Sequence, residues 1–148
     1  MQRGLVLLKP DATLRGHIGD IVSRFEKKGL KIIALKMMSP DKAKLERLYS
    51  MHKGKAFYQE LIDFMSSGPL VAIVVKGPNA VSVVRLMLGA TKFTEAAPGT
   101  IRGDYAMSTG KNLVHASDSA ERAEEEISIL FKEDEMVDWD QPLSDYLY

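Results

Sequence analysis

The chain has 148 residues, enough for one domain with a single hydrophobic core, and its 45% apolar and 27% charged residues are typical of globular proteins. Twenty basic residues balance twenty acidic ones, so no overall field attracts nucleic acid or an anionic membrane, and any anion site has to be local. The absence of cysteine excludes a disulfide framework, a thiolate metal site and a cysteine nucleophile.

The first predicted element is a short buried strand over Leu5–Leu8, which ends at Lys9-Pro10 because proline cannot donate a hydrogen bond to a sheet. This apolar run is too short for a signal peptide, and no segment approaches the ~20 apolar residues of a membrane span. We therefore expect a cytoplasmic protein without a membrane partner.

Helices and strands alternate up to residue 89. The first helix has its apolar residues at i, i+3, i+4 and i+7, which places them on one face. The elements predicted after the first strand are a helix over about 13–28 that ends at Gly29, a strand over 30–38, helices over 41–49 and 55–66, a strand over 70–75 and a helix from Asn79 to Gly89.

Residues 90–101 follow neither the helical nor the strand period, and an irregular segment of this length is more often functional than idle. A fourth strand is expected over about 102–107, followed by a loop over 108–111. A last helix is expected after Asp118, whose side chain could form a capping box with Glu121. The predicted order is β-α-β-α-β-α-β-α, without repeats or linkers.

The chain lacks both common glycine-rich nucleotide motifs, since no G-x-G-x-x-G follows the first strand and no G-x-x-x-x-G-K-[ST] occurs. A phosphate site would therefore have to be built from side chains near the ends of elements. Each such side chain is, on its own, also compatible with a solvated or turn-forming role. The candidates are Lys9, Arg85, Thr91, Arg102 and Asn112.

The candidate nucleophile is His115, which follows Leu113-Val114 and precedes the helix-starting cluster Ser117-Asp118-Ser119. An imidazole is largely neutral at neutral pH, so one of its ring nitrogens is free to attack phosphorus. The ordinary alternative for a lone histidine is a packed or surface imidazole. His17 and His52, which lack metal-ligand spacing, are assigned such ordinary roles.

Several segments together carry a resemblance to a known family. They are Lys9-Pro10-Asp11, Ser67-Gly68-Pro69, Arg85–Gly89, Pro98–Asp104 and Asn112–Ser119. In these segments, which occur in order between about residues 3 and 137, the chain resembles the nucleoside diphosphate kinase family. The segment around His115 is a highly specific active-site signature.

The resemblance implies an α+β fold, an α/β sandwich with a ferredoxin-like β-α-β-β-α-β core whose four-stranded antiparallel sheet is covered by helices. The pattern of predicted elements permits this fold without selecting it. By the same resemblance, residues 1–148 would form a single nucleoside diphosphate kinase domain.

The resemblance also implies an enzyme that moves the γ-phosphate of a nucleoside triphosphate, typically ATP, to a nucleoside diphosphate by a ping-pong reaction. The carrier would be a pros-phosphohistidine on His115, with Glu126 orienting the imidazole and Ser117 supporting it. From the sequence alone, Glu126 is also compatible with the solvated charged run 121–126. The remaining assignments are Lys9 and Tyr49 as catalytic residues, Phe57 stacked on the base, and Lys9, Arg85, Thr91, Arg102 and Asn112 around the phosphates and sugar.

Mg2+ is the implied cofactor, carried mainly by the nucleotide phosphates, with Asp118 the nearest protein group. The implied partners are nucleoside tri- and diphosphates, and stacking on an aromatic ring reads no base edge, which suggests a broad nucleoside preference. No specific nucleic-acid partner is expected.

Two other classes of protein remain open. A catalytically silent relative would keep the fold but commonly lose the histidine or its phosphate ligands, and this chain keeps them. A histidine phosphocarrier in a signalling relay would need a protein-docking surface in place of Phe57 and the nucleotide-binding loop.

The expected assembly is a symmetric homo-oligomer, a homohexamer with a homotetramer as the alternative. The tail 138–148 carries the only tryptophan and several large apolar residues, which rarely remain in water. It is expected to meet a neighbouring subunit together with 90–101, where Lys92-Phe93 stands in place of the family's frequent Asn-Pro. The alternative is that the tail covers its own subunit.

Overall fold

A single antiparallel sheet organises the computed structural model, which describes residues 1–148. Its strands are Gln2–Leu8 (β1), Lys31–Met38 (β2), Leu70–Gly77 (β3) and Val114–Ala116 (β4), in the spatial order β2-β3-β1-β4. The helices are Pro10–Leu14 (α1), Ile18–Lys28 (α2), Lys42–Leu48 (α3), Tyr58–Met65 (α4), Ala80–Leu88 (α5), Ile101–Tyr105 (α6) and Ala120–Leu130 (α7). None of them is long and apolar enough to cross a membrane.

The central strand β1 separates two hydrophobic cores, because successive side chains of a strand point to opposite faces. Val6 and Leu8 belong to the core beneath α2 and α5. Leu5 and Leu7 belong to the core beneath α3, α4 and α7. With helices on both faces, the elements β1-α2-β2-β3-α5-β4 form the ferredoxin-like core, which confirms the predicted α+β fold.

The fourth strand, however, was predicted in the wrong place. The segment Ile101–Tyr105 is a helix, whose first turn is capped by Thr100: the threonine Oγ1 accepts a hydrogen bond from the Gly103 N–H at 3.0 Å. The strand that completes the sheet is Val114–Ala116, which pairs with β1. A capping residue and a tertiary partner thus override the weak strand propensity of 102–107.

Two helix boundaries also differ from the sequence pattern. The first predicted helix is divided into α1 and α2, although Gly29 ends α2 with a φ of 101° as expected. The cap of α7 is Ser119, whose side chain accepts a hydrogen bond from the Arg122 N–H at 3.0 Å. The capping box predicted between Asp118 and Glu121 is therefore wrong.

The C-terminal tail lies along the free edge of β2 in its own subunit. The Val137 N–H donates to the Ile33 carbonyl at 2.8 Å, and Trp139 Nε1 donates to the Ile32 carbonyl at 2.9 Å. The carboxylate of Asp138 forms ion pairs with two lysines of the sheet, Lys31 and Lys76. The beginning of the tail thus protects an otherwise unpaired strand edge.

Candidate active site

The position of His115 in the middle of β4 determines which face of the sheet it occupies. Its neighbours Val114 and Ala116 belong to the core beneath α2 and α5, so His115 lies on the opposite face, toward α7. Its backbone is paired with Leu7 of the central strand, and its side chain is 21% exposed. The imidazole is therefore fixed by the sheet and still accessible.

One ring nitrogen of His115 is engaged by Glu126. The distance from His115 Nε2 to Glu126 Oε1 is 2.8 Å, and Ser117 Oγ donates to the same oxygen at 2.9 Å. A carboxylate can only accept hydrogen bonds, so Nε2 carries the proton and Nδ1 keeps a free lone pair. No protein group forms a hydrogen bond with Nδ1.

The carboxylate of Glu126 is buried, with 1% of the residue exposed. Burial alone would raise the pKa of Glu126, but the hydrogen bond and charge of His115, the Ser117 hydroxyl and the charge of Arg122 together hold that pKa below its ordinary value. The ionised form that His115 requires is thereby favoured.

Three of the predicted phosphate ligands are joined in one hydrogen-bond network. Lys9 Nζ donates to Asn112 Oδ1 at 2.8 Å, and Asn112 Nδ2 donates to the Thr91 carbonyl at 3.3 Å. Burial, together with the charge of Arg102, lowers the pKa of Lys9 to about 8. This ammonium group is poorly solvated, and an anion beside it would compensate for the lost hydration.

The two predicted arginines bracket His115 through the backbone of β4. Arg102 Nη2 donates to the Val114 carbonyl at 2.7 Å, and Arg85 Nη1 donates to the Ala116 carbonyl at 3.3 Å. Arg102 is buried, which lowers its pKa to about 10 with the help of the charge on Arg85. The two guanidinium groups thus contact the carbonyls of the residues directly before and after the candidate nucleophile.

The rings of Tyr49, His52 and Phe57 form one wall of the site. The ring of Tyr49 meets that of His115 edge to face at 5.6 Å between centroids, and its buried hydroxyl has no hydrogen-bond partner. Burial, and secondly the charge of Glu126, raises the pKa of Tyr49. Phe57 is 47% exposed, with its ring in edge contact with His52 at 5.2 Å.

All the predicted site residues except Ser117 line a single cavity of about 770 Å3. Ser117 contacts Glu126 without lining this cavity. Asp118, the residue predicted nearest the metal, is exposed in the wall of the cavity. The chain contains no cluster of three or more His, Asp or Glu side chains that could hold a metal ion.

Two of the cavity residues that sequence reasoning did not assign to the site, His52 and Arg122, contact the predicted site residues directly. His52 was assigned an ordinary loop role, yet its ring lies beside Tyr49 and Phe57. Arg122 was counted in a solvated charged run, yet it lines the cavity and pairs with Glu126. For Arg122 a signal was available, because residues four apart on a helix are neighbours.

A histidine with one free ring nitrogen, bracketed by arginines in a nucleotide-sized cavity, defines a phosphotransferase whose phosphate site is made of side chains. The family model described as nucleoside diphosphate kinase matches residues 2–136 of the chain. The chain belongs to the nucleoside diphosphate kinase family.

Similar proteins support this membership over nearly the whole chain. A nucleoside diphosphate kinase of Sulfurisphaera tokodaii is 58% identical over 93% of this chain and 93% of its own length. One from Staphylothermus marinus is 56% identical over 93% of this chain and 98% of its own length.

Solved structures agree with the fold. A nucleoside diphosphate kinase of Halobacterium salinarum in complex with CDP superposes with a TM-score of 0.96 at 45% identity, over 99% of this chain and 98% of its own. A family protein from Babesia bovis superposes with a TM-score of 0.97 at 40% identity, over all of both chains.

Proposed function

We propose that the protein transfers the γ-phosphate of a nucleoside triphosphate to a nucleoside diphosphate in two steps, through a phosphohistidine on Nδ1 of His115. The observation that carries this proposal is the contact of Nε2 with Glu126, since it leaves Nδ1 as the nucleophilic nitrogen. The first product leaves before the acceptor binds, which makes the reaction ping-pong.

In the first step, the lone pair of Nδ1 forms a bond to the γ-phosphorus while the bond to the bridging oxygen breaks, and the diphosphate leaves. Positive charge develops on the imidazole during this attack. Glu126 stabilises that charge because its carboxylate accepts the Nε2–H, and Ser117 fixes the carboxylate. In the second step, a terminal oxygen of the acceptor diphosphate takes the phosphoryl group, and His115 returns to its neutral form.

The nucleotide phosphates and sugar are proposed to contact Lys9, Arg85, Thr91, Arg102 and Asn112. Hydrogen bonds to charged groups contribute about 1.5–3 kcal/mol each, and arginine matches phosphate oxygens with two donors. Tyr49 is proposed to donate its unpaired hydroxyl to the phosphoryl group in transfer. Phe57 is half exposed and suited to stack on any base, which favours broad nucleoside use.

Mg2+ is the proposed cofactor. Asp118 is an exposed carboxylate in the cavity wall and lies close to His115 in the sequence. Because no cluster of three or more metal-ligating side chains is present, the ion would be held mainly by phosphate oxygens and water. When bound, it supplies positive charge that neutralises the phosphate oxygens.

The proposed assembly is a homohexamer, with a homotetramer as the alternative. Support comes from large apolar side chains that a single subunit leaves in water, among them Leu14, Leu86 and Met107 at 72%, 76% and 82% exposure. The molar mass from light scattering distinguishes the two assemblies.

The reaction can be tested by incubating the protein with radiolabelled ATP and Mg2+ in the absence of an acceptor. The expected product is a labelled protein whose label is lost in acid and kept in alkali, and which passes to GTP when GDP is added. His115→Ala should take no label, whereas the matched control His17→Ala should take it normally. A label that survives acid, as phosphoserine does, contradicts the proposal.

A further inference from the structure

Arg122 lies in the first turn of α7, three positions after the capping residue Ser119. Its guanidinium contacts three different groups. Its Nη1 pairs with Glu125 Oε2 at 2.8 Å, and its Nη2 donates to the Leu48 carbonyl. Its Nε lies 2.9 Å from Glu126 Oε2. The Nε–H does not point at this oxygen, so the contact is an ion pair rather than a directed hydrogen bond. The side chain is only 16% exposed.

The two oxygens of Glu126 are thus used by different groups. Oε1 accepts hydrogen bonds from His115 Nε2 and Ser117 Oγ, whereas Oε2 faces the guanidinium of Arg122. A carboxylate held at both oxygens cannot rotate freely, and a neighbouring positive charge favours its ionised form. The ionised form accepts hydrogen bonds at both oxygens and gives the Nε2–H of His115 a charged acceptor.

The contact with Leu48 connects this pair to a second element of the site. Leu48 is the last residue of α3, and the next residue is Tyr49, whose ring lies against His115. Arg122 therefore links the helix that carries Glu126 to the segment that carries Tyr49.

We propose that Arg122 is a positioning residue of this enzyme, which holds the Glu126 carboxylate directed at His115 and ties it to the end of α3. The proposal rests on the phosphohistidine mechanism and assigns to Arg122 an action through Glu126, without contact to the phosphoryl group.

The charged and titratable groups around Glu126 come from several elements. His115 on β4 contacts it, Tyr49 after α3 lies against the His115 ring, and Arg122 lies beside it on α7. The other charged or titratable groups that line the same cavity are Lys9, His52, Glu60, Arg85, Arg102, Lys111 and Asp118. Of the positive groups, Arg122 is the one in an ion pair with Glu126.

The direction of the Glu126 pKa shift determines how the phosphorylation rate should depend on pH. The pKa of Glu126 lies below its ordinary value, so the function of its carboxylate is present at neutral pH and is lost as the pH falls through that pKa. His115 and Ser117 lower this pKa more than Arg122 does; removal of the Arg122 charge should still raise it, so the loss should occur at a higher pH. A side chain that only stabilised the fold would not move the acid limb of the rate profile.

The first experiment measures the single-turnover rate of His115 phosphorylation as a function of pH in wild type, Arg122→Gln and Arg122→Lys. Arg122→Gln should lower the rate at neutral pH roughly tenfold, as expected for neighbours in one ion-pair network, and move the acid limb to higher pH. Arg122→Lys should keep most of the wild-type rate at neutral pH and most of the wild-type position of the acid limb. The matched control is Glu125→Gln, which removes the exposed ion pair of Arg122 and should leave rate and pH profile unchanged.

A double-mutant cycle tests whether Arg122 acts through Glu126. In a Glu126→Gln background, the additional change Arg122→Gln should have little further effect on the phosphorylation rate. Multiplicative losses would show that Arg122 acts independently of Glu126 and would overturn the proposal. An unmoved acid limb combined with weaker nucleotide binding would also overturn it, because that result is expected of a direct phosphate ligand.

A third readout does not depend on activity. Nitrogen NMR of the His115 ring should show the proton on Nε2 in wild type and a larger share of the Nδ1–H tautomer in Arg122→Gln; unchanged tautomers would overturn the proposal. Failure of the mechanism itself is distinguishable, because wild type would then take no acid-labile label. Thermal unfolding of each variant identifies losses that are due to the fold.

Discussion

Arg85 and Arg102 differ in what their guanidinium groups already bind. Arg102 is buried and donates to the carbonyls of Gly89 and Val114 at 2.9 and 2.7 Å. Arg85 makes a single longer contact, 3.3 Å to the Ala116 carbonyl, and is exposed. The sequence suggests equivalent roles for the two arginines, whereas the structure gives Arg102 a structural function as well.

We therefore expect different consequences when each arginine is replaced by alanine. Both changes should lower the turnover rate by about 10²-fold, as removal of one donor to a developing charge does. Arg102→Ala should also lower the free energy of unfolding by roughly 2–4 kcal/mol, because the buried Val114 carbonyl and the partly buried Gly89 carbonyl lose charged donors. Arg85→Ala should stay within about 0.5 kcal/mol of wild type. Equal stabilities in urea unfolding would contradict the distinction.

Lys9 gives a second prediction at the residue scale, concerning pH. Its pKa is lowered to about 8 by burial and by Arg102, so above that pH the free enzyme loses the charge that we propose attracts phosphate. Since kcat/KM reports the free enzyme, kcat/KM for the triphosphate should fall as pH rises through about 8. The variant Lys9→Gln should have a low kcat/KM without this alkaline limb; a limb that persists in the variant would belong to another group.

The same shift has a consequence for stability with the opposite sign. Between a pKa of about 8 in the folded state and the ordinary value of 10.5, the unfolded chain binds more protons at Lys9. The contribution of Lys9 to the free energy of unfolding therefore increases with pH in this window. Above about pH 8, kcat/KM should thus fall while the contribution of Lys9 to stability increases.

At the scale of elements, α6 is the piece that carries Arg102 into the site, and its first turn is unusually tight. A Cβ added at Gly103 would lie 1.9 Å from the Ala97 carbonyl oxygen and 2.8 Å from Thr100 Oγ1. The first of these atoms belongs to the backbone and cannot rotate away. The turn that begins α6 is therefore compatible with glycine alone at this position.

Gly103→Ala should accordingly lower the free energy of unfolding by about 1–3 kcal/mol, the range for overpacked sites, and lower activity by displacing Arg102. Gly19→Ala in α2 is the matched control, because a Cβ there meets no atom within 4 Å. That change should stabilise the protein by about 0.4–1 kcal/mol. Thermal unfolding of both variants measures the contrast, and a neutral Gly103→Ala would show that the 97–103 turn adapts.

At the scale of the whole molecule, the tail divides into two parts. Residues up to Trp139 bind the edge of β2 through backbone and indole hydrogen bonds. Beyond them, Leu143 and Tyr146 are 72% and 87% exposed. The first part therefore serves its own subunit, whereas the second leaves apolar surface available for a neighbour.

Two truncations separate these roles. Removal of 142–148 should lower the molar mass in light scattering, or make it depend on concentration, while the subunit stays folded and His115 still takes label. Removal of 138–148 should in addition lower the thermal midpoint and promote aggregation, because the β2 edge loses its cover. If the shorter truncation leaves the molar mass unchanged, the end of the tail is not an assembly element.

The sequence by itself determined much of this protein. Apolar periodicity predicts α2, α5 and three of the four strands, because burial requires one apolar face regardless of how elements are arranged. The signature around His115, with the ordered segments that precede it, predicts the family and, through that resemblance, ten of the residues that line the cavity. These predictions depend on residue types at short spacing in the chain, so they do not require knowledge of the tertiary structure.

Only the tertiary structure decided the rest, since it depends on contacts between residues far apart in the chain. Lys9 meets Asn112 across 103 positions, and β4 exists because β1 offers it a pairing edge. Arg102 contacts the Gly89 and Val114 carbonyls and Arg122 contacts the Leu48 carbonyl, and no local pattern brings these residues together. Local propensity is weak compared with the free energy of burying and pairing polar groups, so the tertiary structure sets which of these residues meet.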